Sequence, residues 1–225
     1  MNRTCTRSGK RRSASRYREW MASTHQPQIV PATEDRWEDL CDLLGVSGEA
    51  GCWCQAWRGH DTKARSGGRS RPELLRDQMA QAQVAAAEMT GRHPPPGYLA
   101  YLGDLAVGWI GVSVRTETPR LVNSRTIPAV DDQPVWSVGC FQVRPGYRRR
   151  GITRALLAGV INQAKEAGAP GIEAYPIDPG ARRVEVGAGF VGIASIFDAA
   201  GFRRLLTTDA HSGGLPRLLV RLDFD

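Results

Sequence analysis

The chain has 225 residues, of which 41% are hydrophobic and 24% charged, with 25 glycines and 14 prolines. That composition excludes a wholly disordered chain, a collagen-like fibre and a coiled coil. Apolar runs such as Ala155 to Ile161 are far short of the ~20 residues that cross a bilayer, so no membrane span is expected. Nearly all of the net charge of +7 lies in residues 1–27, where seven arginines and lysines face Glu19 alone.

At roughly 150 residues per domain, this length suits one domain with an appendage. Residues 1–27 are read as a basic, disordered leader and residues 28–225 as the working domain. Like charges packed this densely repel and build no core. The leader has no apolar stretch behind it, so it is not a secretory signal. A basic arm on nucleic acid or an acidic surface is the other reading of it. Five cysteines, an odd number without a secretion signal, point to free thiols in a reducing cytoplasm.

The predicted elements begin with a short strand at residues 28–31. Thr33 is placed to cap a helix in which Trp37, Leu40, Cys41 and Leu44 recur at helical spacing, closed by Gly45 and Gly48. The aromatic stretch Gly51 to Asp61 follows, then a polar segment to Arg69. Ser70 and Glu73 form a capping box for a helix reaching about Thr90, broken by the prolines at 94–96. Tyr98 to Val114 reads as a hairpin turning at Gly103-Asp104. A connection of about twenty residues, Arg115 to Pro134, is long enough to be functional or mobile. A strand at 135–143 enters a Gly-rich basic turn. A helix from Ile152 to about Ala167, a strand at 171–177, a helix from about Val191 to Ala200 and two closing strands complete the order. This predicts a mixed α/β domain with helices on both faces of a sheet.

The segment from Cys140 to Leu157 carries the chemistry. A strand feeds a turn holding Gly146 and Gly151, and a helix starts at once. Amides at a helix start lack internal partners, and the dipole there favours an anion. Arg148, Arg149, Arg150 and Arg154 add positive charge, and Gly151 lets a phosphate approach the backbone. The physics points to a pyrophosphate. Gly146 and Gly151 have Walker A spacing, but Ile152 stands where its lysine must be, and no G-x-G-x-x-G is present.

These residues resemble the GCN5-related N-acetyltransferase (GNAT) family. Arg148-Arg149-Arg150-Gly151-Ile152-Thr153 matches its R/Q-x-x-G-x-G/A element. The preceding F-x-V-x-P-x-Y-R, the hairpin LGDLAVGWIGV and the late IFDAAGF match in kind and order. The resemblance implies a mostly antiparallel, splayed sheet that holds acetyl-coenzyme A as co-substrate. Backbone groups of Phe141, Gln142 and Val143 would pair with the pantetheine arm, and amides from Arg149 to Thr153 would hold the pyrophosphate. Thr153 stands where the family carries Gly or Ala; its hydroxyl either donates to a phosphate oxygen or crowds the turn. The implied acceptor is a primary amine of a small molecule. A protein amine, or coenzyme A binding without catalysis, are the alternatives, and a homodimer is left open.

Acetyl transfer needs a neutral amine, a donor for the developing oxyanion and a proton for the thiolate. The resemblance places a tyrosine acid four residues before Gly201-Phe202, where this chain has Phe197. Glu173 and Tyr175, two apart on the strand after the coenzyme helix, share a face and are the catalytic candidates. Asp131 and Asp132 in the long connection are read as a solvated turn, with binding of a cationic acceptor as the other reading. Cys52, Cys54 and His60 are too tightly spaced for one zinc and lack a fourth ligand, so packing is expected there. Cys140 is read as a buried structural thiol.

Overall fold

The computed structural model of the chain describes residues 26–45, 51–60, 66–87, 93–182, 184 and 187–224. The basic leader up to residue 25, Gly48 and the expected end of the second helix near Thr90 lie outside them.

Seven strands form one sheet in the order β1-β2-β3-β4-β5-β7-β6. They are β1 (Gln28–Pro31), β2 (Gly97–Leu102), β3 (Leu105–Val114), β4 (Trp136–Val143), β5 (Gly171–Ala174), β6 (Arg203–Ser212) and β7 (Leu215–Asp223). Neighbours are antiparallel except β4 and β5. The parallel pair is joined by α4 (Ile152–Glu166), as a right-twisting sheet requires of a crossover. The central strands are buried along almost their whole length because helices cover both faces. On one face, Leu156, Leu157 and Val160 of α4 pack on Ala100, Val107 and Ile110. On the other, α1 (Trp37–Leu44) and α2 (Arg71–Ala87) bring Leu40, Leu43, Leu75 and Met79 against Leu99 and Trp109. Leu156 is fully buried, so truncating it to Ala would cost ~2–5 kcal/mol.

A Cβ at Gly108 would stand 2.6 Å from Ile152 Cγ2, so this position in β3 lets α4 settle directly on the sheet. The capping box is formed: Ser70 Oγ and its amide both donate to Glu73 Oε2, at 2.8 and 2.9 Å.

Several expectations are corrected. Thr33 precedes a single 3-10 turn at Glu34–Arg36, and its side chain makes no cap hydrogen bond. The strand expected at 171–177 leaves its ladder after Ala174, because Pro176 has no amide to donate; Ile177 then bridges Ile193 and Arg217. The late helix is shorter than its pattern, reduced to a 3-10 turn at Gly189–Val191 and α5 (Ala194–Asp198). Gly192 between them has φ of 85°, which no helix accommodates. The long connection contains a 3-10 turn at Arg115–Glu117 and α3 (Pro119–Val122), and Asp209 donates its amide to Thr126 O at 3.1 Å, tying the connection to β6.

The expected free thiols are corrected as well. Cys54 and Cys140 are joined by a disulfide, Cys41 is also disulfide-bonded, and Cys52 is the free thiol among the described residues. The tertiary cause is the anchoring of the 51–60 loop. Arg58 donates to Cys54 O, Pro96 O and Val112 O at 3.2, 2.7 and 2.9 Å, which lays the loop across β3 and β4. Gln55 and Gln78 exchange amide hydrogen bonds at 3.0 and 3.1 Å and dock the same loop on α2.

Candidate active site

The turn between β4 and α4 holds three residues in the left-handed region: Gly146 at φ 88°, Arg149 at 60° and Gly151 at 78°. A Cβ at Gly146 or Gly151 would meet nothing within 4 Å, so these glycines serve conformation and access rather than packing. Gly151 is the N-cap of α4 and has no side-chain cap; the first intrahelical bond runs from Ala155 N to Gly151 O at 3.0 Å. The amides of Ile152, Thr153 and Arg154 therefore have no intrahelical acceptor. The Ile152 side chain is buried in the core, so only its backbone is offered. Arg148 and Arg149 are exposed at the turn, with Arg148 Nε donating to Val143 O at 3.3 Å; Arg150 lies over the Tyr147 ring at 5.5 Å, and Arg154 is exposed on the first turn of α4. This is an open, cationic, amide-lined cradle suited to a diphosphate.

β4 leads to this cradle along a splay. It pairs with β5 only from Trp136 to Val138. The β3 register then shifts, Gly111 facing Cys140 and Val112 facing Val138, which leaves Gly139 as the extra residue of a bulge. Beyond the bulge, Cys140 to Val143 have no strand partner on the β5 side among the described residues. The backbone of Phe141, Gln142 and Val143 thus presents a free edge toward the opening. The Gln142 side chain is otherwise occupied, donating to Leu43 O at 2.9 Å. Phe197, at the position of the absent tyrosine, is fully buried and packs edge-on against Phe141 at 6.0 Å and Phe202 at 5.2 Å.

Glu173 and Tyr175 meet as expected. Tyr175 Oη donates to Glu173 Oε2 at 3.0 Å, and both side chains are buried at 1% exposure. Two buried arginines flank the carboxylate, Arg115 at 3.4 Å and Arg221 at 3.5 Å. Burial pushes the Glu173 carboxyl above its ordinary range, against the opposing pull of the Tyr175 hydrogen bond and the two arginines. Burial and the neighbouring carboxylate push the Tyr175 phenol well up. Asp131 is engaged within the protein, accepting from Arg221 Nη1 at 2.7 Å and from Gln133 N at 3.0 Å.

Sequence reasoning missed the pairing of Glu173 with Arg115 and Arg221, although an arginine inside the apolar run Leu218 to Leu222 is a signal of a buried counter-charge. It also missed a cavity of about 700 Å³ between the 51–60 loop, the long connection and the β6–β7 hairpin. Trp57 forms one wall. Its indole stacks on Tyr175 and lies against Gly139, where a Cβ would come within 3.0 Å of Trp57 Cδ1. Arg120, Asp209, His211 and Arg217 also line it.

The arrangement is a helix-capped anion cradle beside a strand that splays from its parallel neighbour. The family model described as "Acetyltransferase (GNAT) family" matches residues 54–185, more than half of the chain, and the chain belongs to that family. Membership makes it an N-acetyltransferase dependent on acetyl-coenzyme A, and the open cradle and free strand edge fit that co-substrate. The fold is similar to that of yncA from Salmonella typhimurium, solved with its cofactor acetyl-CoA, at a TM-score of 0.51 and 13% identity over 89% of this chain and 95% of that one. It is similar to a GNAT-family acetyltransferase from Streptococcus agalactiae at 0.50 and 14% identity, over 88% and 96%. The paia N-acetyltransferase of Thermoplasma acidophilum, in complex with coenzyme A, has a TM-score of 0.49 and 15% identity over 89% and 100%. No curated protein matches the chain in sequence.

Proposed function

We propose that the chain transfers an acetyl group from acetyl-coenzyme A to a primary amine of a small molecule bound in the cavity beside Trp57. The observation that carries this reading is the amide cradle at Gly151 at the end of the free β4 edge at Phe141 to Val143, together with a cavity of about 700 Å³ whose wall residue Trp57 lies against Gly139, the bulge residue of β4. That volume lies in the range of small-molecule sites, roughly 300–1,000 Å³.

The co-substrate supplies an activated acetyl thioester. The amides of Ile152, Thr153 and Arg154, with Arg148 and Arg149, hold its diphosphate; Arg150 and Arg154 add charge at the rim. The backbone of Phe141 to Val143 orients the arm along β4. Glu173 is the proposed acceptor of the proton that the amine loses as its C–N bond forms, reached through Tyr175, whose hydroxyl it already holds at 3.0 Å; the C–S bond breaks in the same transfer, and the leaving coenzyme A thiolate takes up a proton in turn. Arg115 and Arg221 oppose the burial that raises the pKa of that carboxylate. Phe197 has no hydroxyl, so it takes no part in proton transfer. The reading carries a cytoplasmic setting with it.

The test is a panel of amines with acetyl-coenzyme A, followed by release of free thiol, with Gly151→Glu as control. Turnover by the parent chain and none by the variant is expected. Binding of acetyl-coenzyme A equal in both would refute the cradle.

A further inference from the structure

Arg217 lies on β7 and faces the cavity beside Trp57. Its guanidinium stands over the Trp57 ring at 5.3 Å and over the Phe190 ring at 5.5 Å, so two aromatic faces hold it in place. The neighbouring buried arginines have acids: Arg115 has Glu173, and Arg221 has Glu173, Asp131 and Asp223. Arg217 has no acid within ion-pair distance among the described residues. Its Nε is covered from solvent and finds no hydrogen-bond acceptor. A second cation, Arg120, lines the same cavity. A fixed guanidinium with an orphaned donor, turned toward a cavity next to a like charge, is a site missing an oxyanion.

We infer that the acceptor amine carries an oxyanion, a carboxylate or a phosphate, and that Arg217 binds it with Arg120 beside it. This rests on the acetyltransferase reading and names the substrate class of that site. The planar fork of Arg217 matches either oxyanion with two parallel donors. Burial and the proximity of Arg120 both lower the Arg217 pKa, a penalty that a bound anion would relieve. Asp209 lines the cavity too, and no ion pair engages it among the described residues, so the cavity offers an ammonium group a counter-charge as well.

Two measurements on the full chain separate this inference from the reading beneath it. In the first, calorimetry compares N-acetyl amino acids and N-acetyl aminoalkyl phosphates with their carboxamide and alcohol counterparts. Charged ligands should bind at least ~10-fold tighter than neutral ones, and Arg217→Gln should erase the difference while acetyl-coenzyme A binding stays unchanged. Arg217→Lys, which keeps the charge but not the fork, should restore part of it. The carboxylate and phosphate arms show which oxyanion the site prefers. Equal binding of charged and neutral ligands, or a preference that survives Arg217→Gln, overturns the inference. In the second, thiol release is followed with amino acids and their carboxamides. Turnover of neutral amines alone overturns the inference and leaves the transferase reading standing. A charge preference in binding with no turnover of any amine supports the anion site and sinks the transferase reading instead.

Discussion

The indole of Trp57 stacks on the ring of Tyr175 with centroids 5.6 Å apart and planes 24° from parallel. Trp57 lines the cavity, and the Tyr175 hydroxyl donates to the buried carboxylate of Glu173. A single aromatic stack thus links the wall of the proposed acceptor site to the proposed proton acceptor. Trp57 is held there by its loop, which Arg58 fastens to the carbonyls of Pro96 and Val112.

Glu173→Gln should lower kcat by roughly 100-fold or more without raising the KM for acetyl-coenzyme A. Burial raises the Glu173 pKa, so activity that needs its carboxylate should fall as pH drops through a point above the ordinary carboxylate range. That acid limb should vanish in the variant. The stability linkage has the opposite sense. A carboxyl whose folded pKa is raised contributes most below its unfolded pKa and loses that contribution as pH rises through the folded value. Tyr175→Phe keeps the stack and removes one hydrogen bond, at about 1 kcal/mol by urea denaturation, and should shift the same limb. An unchanged pH profile in both variants would leave the pair a structural role only.

Gly151→Ala tests the cradle gently. The φ of 78° costs an alanine roughly 1–2 kcal/mol, although its Cβ meets nothing within 4 Å. Thermal melting should register that loss, and coenzyme A affinity should drop with it. Gly151→Glu adds a negative charge at the cradle, and calorimetry should find no binding while circular dichroism still reports the fold.

Arg58→Met removes a donor from the carbonyls of Cys54, Pro96 and Val112, of which Pro96 O keeps the Val112 amide at 3.1 Å. The expected loss is about 2–3 kcal/mol in urea, together with weaker acceptor binding as Trp57 loses its anchor. Arg58 is half-buried with no carboxylate partner among the described residues, and burial pulls its pKa down to about 10. Arg58→Lys cannot span the same carbonyls and should recover little.

Ser70→Ala removes the cap of α2 far from the cradle, and should cost about 1 kcal/mol with kinetics unchanged. Glu73 has its pKa lowered by the backbone and hydroxyl of Ser70. Its contribution is therefore present above the ordinary carboxylate pKa and lost as pH falls through the depressed value, so the parent and the variant should converge in stability at acid pH.

Local chemistry alone determined much of this protein. Alternation and a Gly-Asp turn set out the β2–β3 hairpin, Ser70 and Glu73 announced the start of α2, and two glycines between a strand and an apolar helix marked the anion cradle. Each of these signals acts within a few residues, where backbone preference and side-chain period suffice. The rest depended on groups far apart in the chain. Glu173 and Tyr175 could be assigned to one face from their spacing, but not to Arg115 and Arg221, 58 and 48 residues away. Cys54 and Cys140 are 86 residues apart. Arg217 has an aromatic bed only because Trp57 and Phe190 arrive from two other segments. Periodicity says which side of a strand a residue occupies; only close packing of the whole sheet decides what waits there.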